Sequence, residues 1–281
     1  MEADGPPSGT SGRPGAGGIL DASLQAYRAQ ALNLWKIVVL IVVPARVINE
    51  LVTVLTLPGG VHAQNGNLYT GAGHTTSTSA AAVAVSIGIS VVAAALAIGA
   101  LSKCVLDHYT GRPADWRSSL SFARQRLASL LWLSITSAAL LFAGFLLFIV
   151  PGIWLLVSLS TAVPALMFER IDPLRALRRS QELVRGRWWP TFGVLLIALA
   201  LVVAVEIVLA IIFGSIESGS KVGSVALLIA LDGISGAISA LISYPFLAIV
   251  CAVIYIDLRV RKEGLDADRL ARGIGAGGLG A

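Results

Sequence analysis

Long apolar stretches separated by short basic segments set the rhythm of this chain. Runs at 32–57, 80–101, 128–149, 152–168 and 191–213 read as membrane spans, since a helix rising 1.5 Å per residue needs about 20 apolar residues to cross the hydrocarbon of a bilayer. The fourth is short, but it shares a hairpin with the third through Val150, Pro151 and Gly152. Proline lacks a backbone donor and glycine accepts any turn geometry, so a tight re-entry at the membrane surface is expected there. Residues 222–256 exceed one straight span and are interrupted by Asp232, Gly233, Ser235 and Gly236. They predict a last span over 236–257, kinked near Pro245, preceded by an apolar segment that lies at the interface or extends the same helix outward. The expected fold is therefore all-α, a polytopic transmembrane bundle of about six spans.

Outside the spans the periodicity changes. Leu20, Leu24, Tyr27 and Ala31 recur at helical spacing behind Asp21, which predicts a short interfacial helix over 19–31. At 172–188, Leu174, Leu177, Val184 and Trp188 form an apolar stripe. Arg175, Arg178, Arg179, Arg185 and Arg187 supply the polar side, with Asp172 as cap and Pro173 at the first helical position. A similar pattern lies 57 residues earlier, pairing Asp115 with Asp172, Leu120 with Leu177 and Ala123 with Ser180, which suggests a duplicated unit of span, surface helix and span. Residues 1–18 hold Gly, Pro and Ser with no apolar signal-peptide core and read as a disordered tail; 19–268 read as the membrane domain and 269–281 as a flexible Gly-rich tail.

Composition agrees with lipid as the solvent. Of 281 residues 56% are hydrophobic and only 13% charged, and the mean hydropathy is +0.81. A soluble domain is near 25% charged, so a water-dispersed globule is excluded. The net charge of +5 carries a different message from that of a nucleic-acid binder, because the basic residues flank apolar runs. Nineteen of the 21 Lys and Arg fall in four alternate segments: the N-terminal region to Lys36, 102–127, 169–190 and 257–272. Lys and Arg are retained on the cytoplasmic side, so both termini are expected to be cytoplasmic in a multi-pass protein of the cell membrane, and abundant Arg, Ala and Gly suggest a bacterial source. Cys104 and Cys251 both fall towards that reducing side, and no disulfide is expected.

Three stretches carry polar residues that lipid burial does not dictate: PGIW with PALMFER, then PLRALRRSQELVRGRWWPTFG, and YIDLRVRKEGLD at 255–266. Together they resemble the membrane domain that precedes some glycerophosphoryl diester phosphodiesterases and also occurs as a stand-alone bacterial membrane protein, over roughly residues 20–268. The resemblance implies a helical bundle. It implies little about activity, because the phosphodiesterase chemistry belongs to a separate soluble barrel whose His and acidic cluster has no counterpart in this sequence.

Candidate chemistry is sparse. His62 and His74 sit in an outer connection without acidic neighbours, and His108 stands alone near the end of the second span, so no metal site is expected. Ser118, Ser119 and Ser180 lack an adjacent base, and the glycines at 273–280 lack the Lys and Ser/Thr of a phosphate loop, so no catalytic residue or cofactor is expected either. Charges inside apolar runs are functional candidates by default. Arg46, Glu50, Glu206 and Asp232 fall at comparable depth in the outer half when counted along their helices, which suggests one polar cluster with Arg46 as the shared cation. The arginines at 175, 178, 179, 185 and 187 are candidates for contact with anionic headgroups or a protein partner, and Arg178 is spaced to pair with Glu182. These features predict a non-enzymatic membrane module that binds lipid or a partner as an accessory or scaffold, with no nucleic-acid role. The alternative is a small permease or channel subunit using the intramembrane carboxylates.

Overall fold

The computed structural model describes residues 16–56, 61–64, 67–70, 80–111, 113–219 and 225–264. Most of the two expected tails, His74 and Lys221 lie outside the described residues. The described chain is an all-α bundle. Six stretches are long and apolar enough to cross a membrane: Gly17–Val52, Val83–Tyr109, Leu127–Leu147, Ile149–Glu169, Trp188–Ile216 and Leu231–Glu263.

The first of these belongs to α1 (Ala16–Thr56), one continuous helix of 41 residues with Pro44 inside it. The segment 19–31 is therefore not a separate interfacial helix, and residues 16–18, expected in the tail, are helical. No residue between Ile19 and Val43 forbids helix, so the amphipathic start and the span propagate as one rod. A short antiparallel hairpin follows, β1 (Val61–Gln64) and β2 (Asn67–Thr70), with His62 paired to Tyr69 in register. α2 (Ala80–Tyr109) returns, and α3 (Trp116–Gln125) is capped by the Asp115 carboxylate, which accepts from the Ser118 backbone N–H at 3.2 Å.

α4 (Leu127–Leu147) and α5 (Ile149–Leu159) form the expected hairpin, but the break falls on Phe148, not on residues 150–152. Phe148 is extended (φ −166°, ψ 160°), while Pro151 sits in the first turn of α5, where a missing N–H breaks no intrahelical bond. Two glycines let the arms touch. A Cβ on Gly144 would lie 3.2 Å from the Gly152 Cα, and one on Gly152 would lie 2.4 Å from the Phe145 ring. The outer part of the hairpin stands clear of the bundle, with Phe142, Leu146, Phe148, Ile149 and Val150 all at least 70% exposed.

α6 (Ala162–Glu169) completes the fourth stretch, and α7 (Pro173–Val184) is the basic helix. α8 (Trp188–Gly219) and α9 (Val225–Glu263) follow. α9 is continuous through Asp232 and Pro245, so the apolar segment before the last span extends the same helix outward. The core lies where α1, α2, α6 and α9 meet, with Leu34, Ile37, Leu101, Leu166, Met167, Ile249, Ile254 and Tyr255 almost completely buried. Among the described residues of α8 only Thr191, Val194 and Ala198 are buried, so that span presents most of its surface outward.

Candidate functional site

Residues from the PALMFER, PLRALRRSQELV and YIDLRVRKE stretches converge at one end of the bundle. Glu169 ends α6, Arg179 sits in mid-α7, and Tyr255, Arg259 and Glu263 follow one face of α9. The Arg179 Nε donates to both Glu169 carboxylate oxygens, at 2.9 and 3.2 Å, and its Nη2 bonds to Glu263. The Tyr255 hydroxyl donates to Glu169 at 2.8 Å, and Arg259 donates to Glu263 at 2.8 Å. Arg259 also lies 5.0 Å from the centroid of the Phe168 ring. One guanidinium thus ties the ends of α6 and α9 to the middle of α7. Lys262 completes the arrangement by donating to the carbonyls of Glu182 and Arg185, satisfying acceptors that the end of α7 leaves free.

This corrects the expectation for Arg179, which faces the interior. Its neighbours behave differently: Arg175, Arg178 and Arg185 are exposed and Arg187 is half-buried. Leu174, expected on the apolar stripe, is 55% exposed, and the buried face is made by Ala176, Leu177, Ser180, Leu183 and Val184. Ser180 sits fully buried against α5 and α6, donating to the Ser158 carbonyl at 2.7 Å and lying 2.9 Å from the Thr161 hydroxyl. Asp172 occupies the N-cap position, yet its side chain makes no cap bond and lies 3.9 Å from Arg175. Among the described residues no ion pair joins Arg178 to Glu182. Ala123 and Ser180, paired by the suggested duplication, are both completely buried.

Beside α7 lies a cleft of about 540 Å³. Arg178, Gln181, Glu182 and Arg185 line it from α7 and the residue after it, Trp154 and Ser158 from α5, and Trp188 from α8. Trp188 is held in place: its ring stacks on Phe192 at 5.2 Å and its N–H donates to the Trp154 carbonyl at 3.4 Å. A second basic group surrounds Phe122, whose ring has Lys103 at 5.5 Å, Arg126 at 5.9 Å and Arg170 at 5.5 Å. Lys103 pairs with Asp107, while Arg126 donates to the carbonyl of Arg170, a residue in the left-handed conformation (φ 53°). Burial, and then the neighbouring Arg170 charge, push Arg126 below its ordinary value.

The intramembrane charges divide into two places. Arg46 packs against α9 at Gly236, where a Cβ would lie 2.7 Å from its Nη1, and both Arg46 and Asp232 lie within electrostatic range of Glu50. Among the described residues, no carboxylate comes within ion-pair distance of Arg46. Glu206 is held elsewhere, accepting from Ser239 and, at 3.0 Å, from Ser243. Those serines are three and seven residues beyond Gly236, roughly 5 and 10 Å further along α9. His108 faces Gln30 at 3.2 Å, and Cys104 and Cys251 are free thiols.

No family model, curated protein or solved structure matches this chain. Glu169, Trp154, Tyr255, Arg259, Lys262 and Glu263 are not singled out by sequence reasoning, while Glu182 enters there only as a partner for Arg178 and Trp188 only on the apolar stripe. The signal that could have found them was the unusual polarity of the FER, RGRWW and YIDLRVRKE stretches at the ends of apolar runs.

Proposed function

We propose that this protein is a non-enzymatic, multi-pass module of a bacterial cell membrane, with cytoplasmic termini, that holds anionic phospholipid headgroups at the basic face of α7. One observation carries the reading. Arg178 and Arg179 are adjacent, yet Arg179 is locked into a network with two carboxylates while Arg178, together with Arg175 and Arg185, is left exposed on a helix whose other face is fixed. Each basic side chain near an anionic leaflet contributes about 1 kcal/mol before screening, and arginine adds a planar fork suited to phosphate. The likeness of these motifs to a membrane domain found beside a phosphodiester-cleaving barrel supports a role close to lipid. A partner could dock on the same face as part of an accessory or scaffold role.

The test uses the full-length protein released from nanodiscs of mixed phosphatidylcholine and phosphatidylglycerol, with bound lipid counted by native mass spectrometry. Wild type should retain the anionic lipid above its bulk fraction, and the Arg175→Gln, Arg178→Gln, Arg185→Gln triple variant should not. Equal retention of both lipids by wild type would refute the reading. The Glu206 contact with Ser239 and Ser243 inside the apolar region favours a second reading, a small permease or channel subunit, which proton-dependent or substrate-dependent flux in liposomes tests.

A further inference from the structure

The cleft between α5, α7 and α8 has a composition that a generally basic surface does not require. Arg178 and Glu182 fall at i and i+4 on one side of α7, Arg185 caps its C-terminus, and all three line the same cleft. Among the described residues, none of the three has an ion-pair partner, although Arg178 and Glu182 are spaced to neutralise each other. The cleft therefore offers two free guanidinium groups, one free carboxylate and the Gln181 amide in one concavity. The side chains that line it sum to plus one, and the Lys262 ammonium stands behind them against the carbonyls of Glu182 and Arg185.

That sum selects among headgroups. A monoanionic phosphodiester placed between the guanidinium groups cancels the net charge of the lining side chains, with Arg able to present paired N–H donors to the phosphate oxygens. A zwitterionic headgroup leaves the positive charge uncompensated. Glu182 and Gln181 would then face the part of the headgroup beyond the phosphate, where a carboxylate, an acceptor only, needs donors. Hydroxyl groups supply them without adding charge. The walls fit a lipid, not a free anion. Trp154 is 50% exposed on α5, Trp188 is fixed by stacking on Phe192, and Leu156 of α5 and Leu196 of α8 leave apolar surface exposed for acyl chains.

We infer that this cleft is a discrete binding site for one monoanionic phospholipid with a hydroxyl-bearing headgroup, its phosphate held by Arg178 and Arg185 and its hydroxyls by Glu182 and Gln181. The inference rests on the proposed lipid-binding reading and sharpens it from a basic film to a single site. Arg175 supplies the internal control, because it is exposed on the same helix and does not line the cleft.

The experiment compares full-length wild type, Arg175→Gln, Arg178→Gln, Arg185→Gln and Glu182→Gln in nanodiscs, read by native mass spectrometry and by a fluorescent-lipid competition assay. The probes are phosphatidylglycerol, phosphatidylmethanol, which has the same charge and no hydroxyl, and phosphatidylethanolamine. Wild type should retain one phosphatidylglycerol with about tenfold preference over each of the others, the scale of one charge-assisted contact. Arg178→Gln and Arg185→Gln should each weaken that retention about tenfold, while Arg175→Gln, which removes general attraction but no cleft contact, should weaken it clearly less than either. Glu182→Gln should keep phosphatidylglycerol but abolish its preference over phosphatidylmethanol. Equal losses from all three arginine variants would overturn the discrete site while leaving general headgroup attraction intact. Equal retention of phosphatidylmethanol by wild type would overturn the hydroxyl contact, and displacement of the lipid by inorganic phosphate would identify a soluble anion as the occupant. A thermal-unfolding midpoint unchanged from wild type certifies each variant as folded; where Gln is not tolerated, Lys at the same position keeps the charge and tests the fork geometry.

Discussion

Two adjacent arginines in α7 should fail in opposite ways. Arg179→Met removes the cation that joins Glu169 at 2.9 Å to Glu263, in a setting where the three side chains are only 24%, 17% and 27% exposed. Opposite charges at about 4 Å attract by about 4 kcal/mol at an effective dielectric near 20, and desolvation cancels much of that. The cost of deleting one partner is set instead by the carboxylates left behind. For a fully buried pair that cost is about 3–5 kcal/mol. Partial exposure lets water screen the orphaned groups, which reduces the expectation to about 2–3 kcal/mol. Arg178→Met removes an exposed side chain without an ion-pair partner and should change stability by less than about 0.5 kcal/mol. Equilibrium unfolding of the purified full-length variants in one detergent measures both. Adding Glu169→Gln to Arg179→Met should recover about 1–2 kcal/mol relative to the sum of the single changes, since fewer negative charges remain unpaired. Equal destabilisation by the two arginine changes, or strict additivity in the cycle, would refute the claim that Arg179 is a structural cation.

Other expectations follow from particular contacts. Gly152→Val should destabilise by about 1–3 kcal/mol in the same unfolding assay, because the Phe145 ring occupies the space of the added Cβ. Replacing both Ser239 and Ser243 by Ala should cost about 1–3 kcal/mol through the two hydrogen bonds lost to Glu206, and that loss should vanish in a Glu206→Leu background. Arg46→Leu and Glu206→Leu should combine additively, and a coupling above about 0.5 kcal/mol would place them in one cluster after all. A cysteine at Asn67 should react with an impermeant reagent from outside intact cells while cysteines at Ser118 and Gln181 are protected; outside labelling at Ser118 would reverse the proposed orientation.

The spans could be read from residue type because hydrocarbon imposes one rule over 20 residues at a time. Their fine boundaries could not. Pro151 and Gly152 look like a turn, but a helix tolerates proline in its first turn, and the chain breaks at Phe148, which has no turn propensity. In α7 the residue type misled. Five arginines were assigned to one polar side, although Arg179 lies three residues after Ala176 and four before Leu183, both buried, so its position pointed inward while its charge pointed outward. Counting rise along isolated helices put Arg46 and Glu206 at similar depths, but contacts with α9 decide the matter, and these separate them by one to two turns.

The glycine contact in the hairpin has a mechanical meaning. With Gly144 against Gly152 and a single residue between the helices, α4 and α5 behave as one broad beam. That beam is clamped at its base, where Arg126 meets Arg170 and where Ser158 and Thr161 meet Ser180, and its apolar tip is free. Tilting is one way a span meets a thicker or thinner bilayer, and a beam held in this way pivots at its clamp. The pivot lies at Ser180, two residues before Glu182 and five before Arg185. Load on the apolar tip is therefore borne by the Ser158–Ser180 and Arg126–Arg170 contacts.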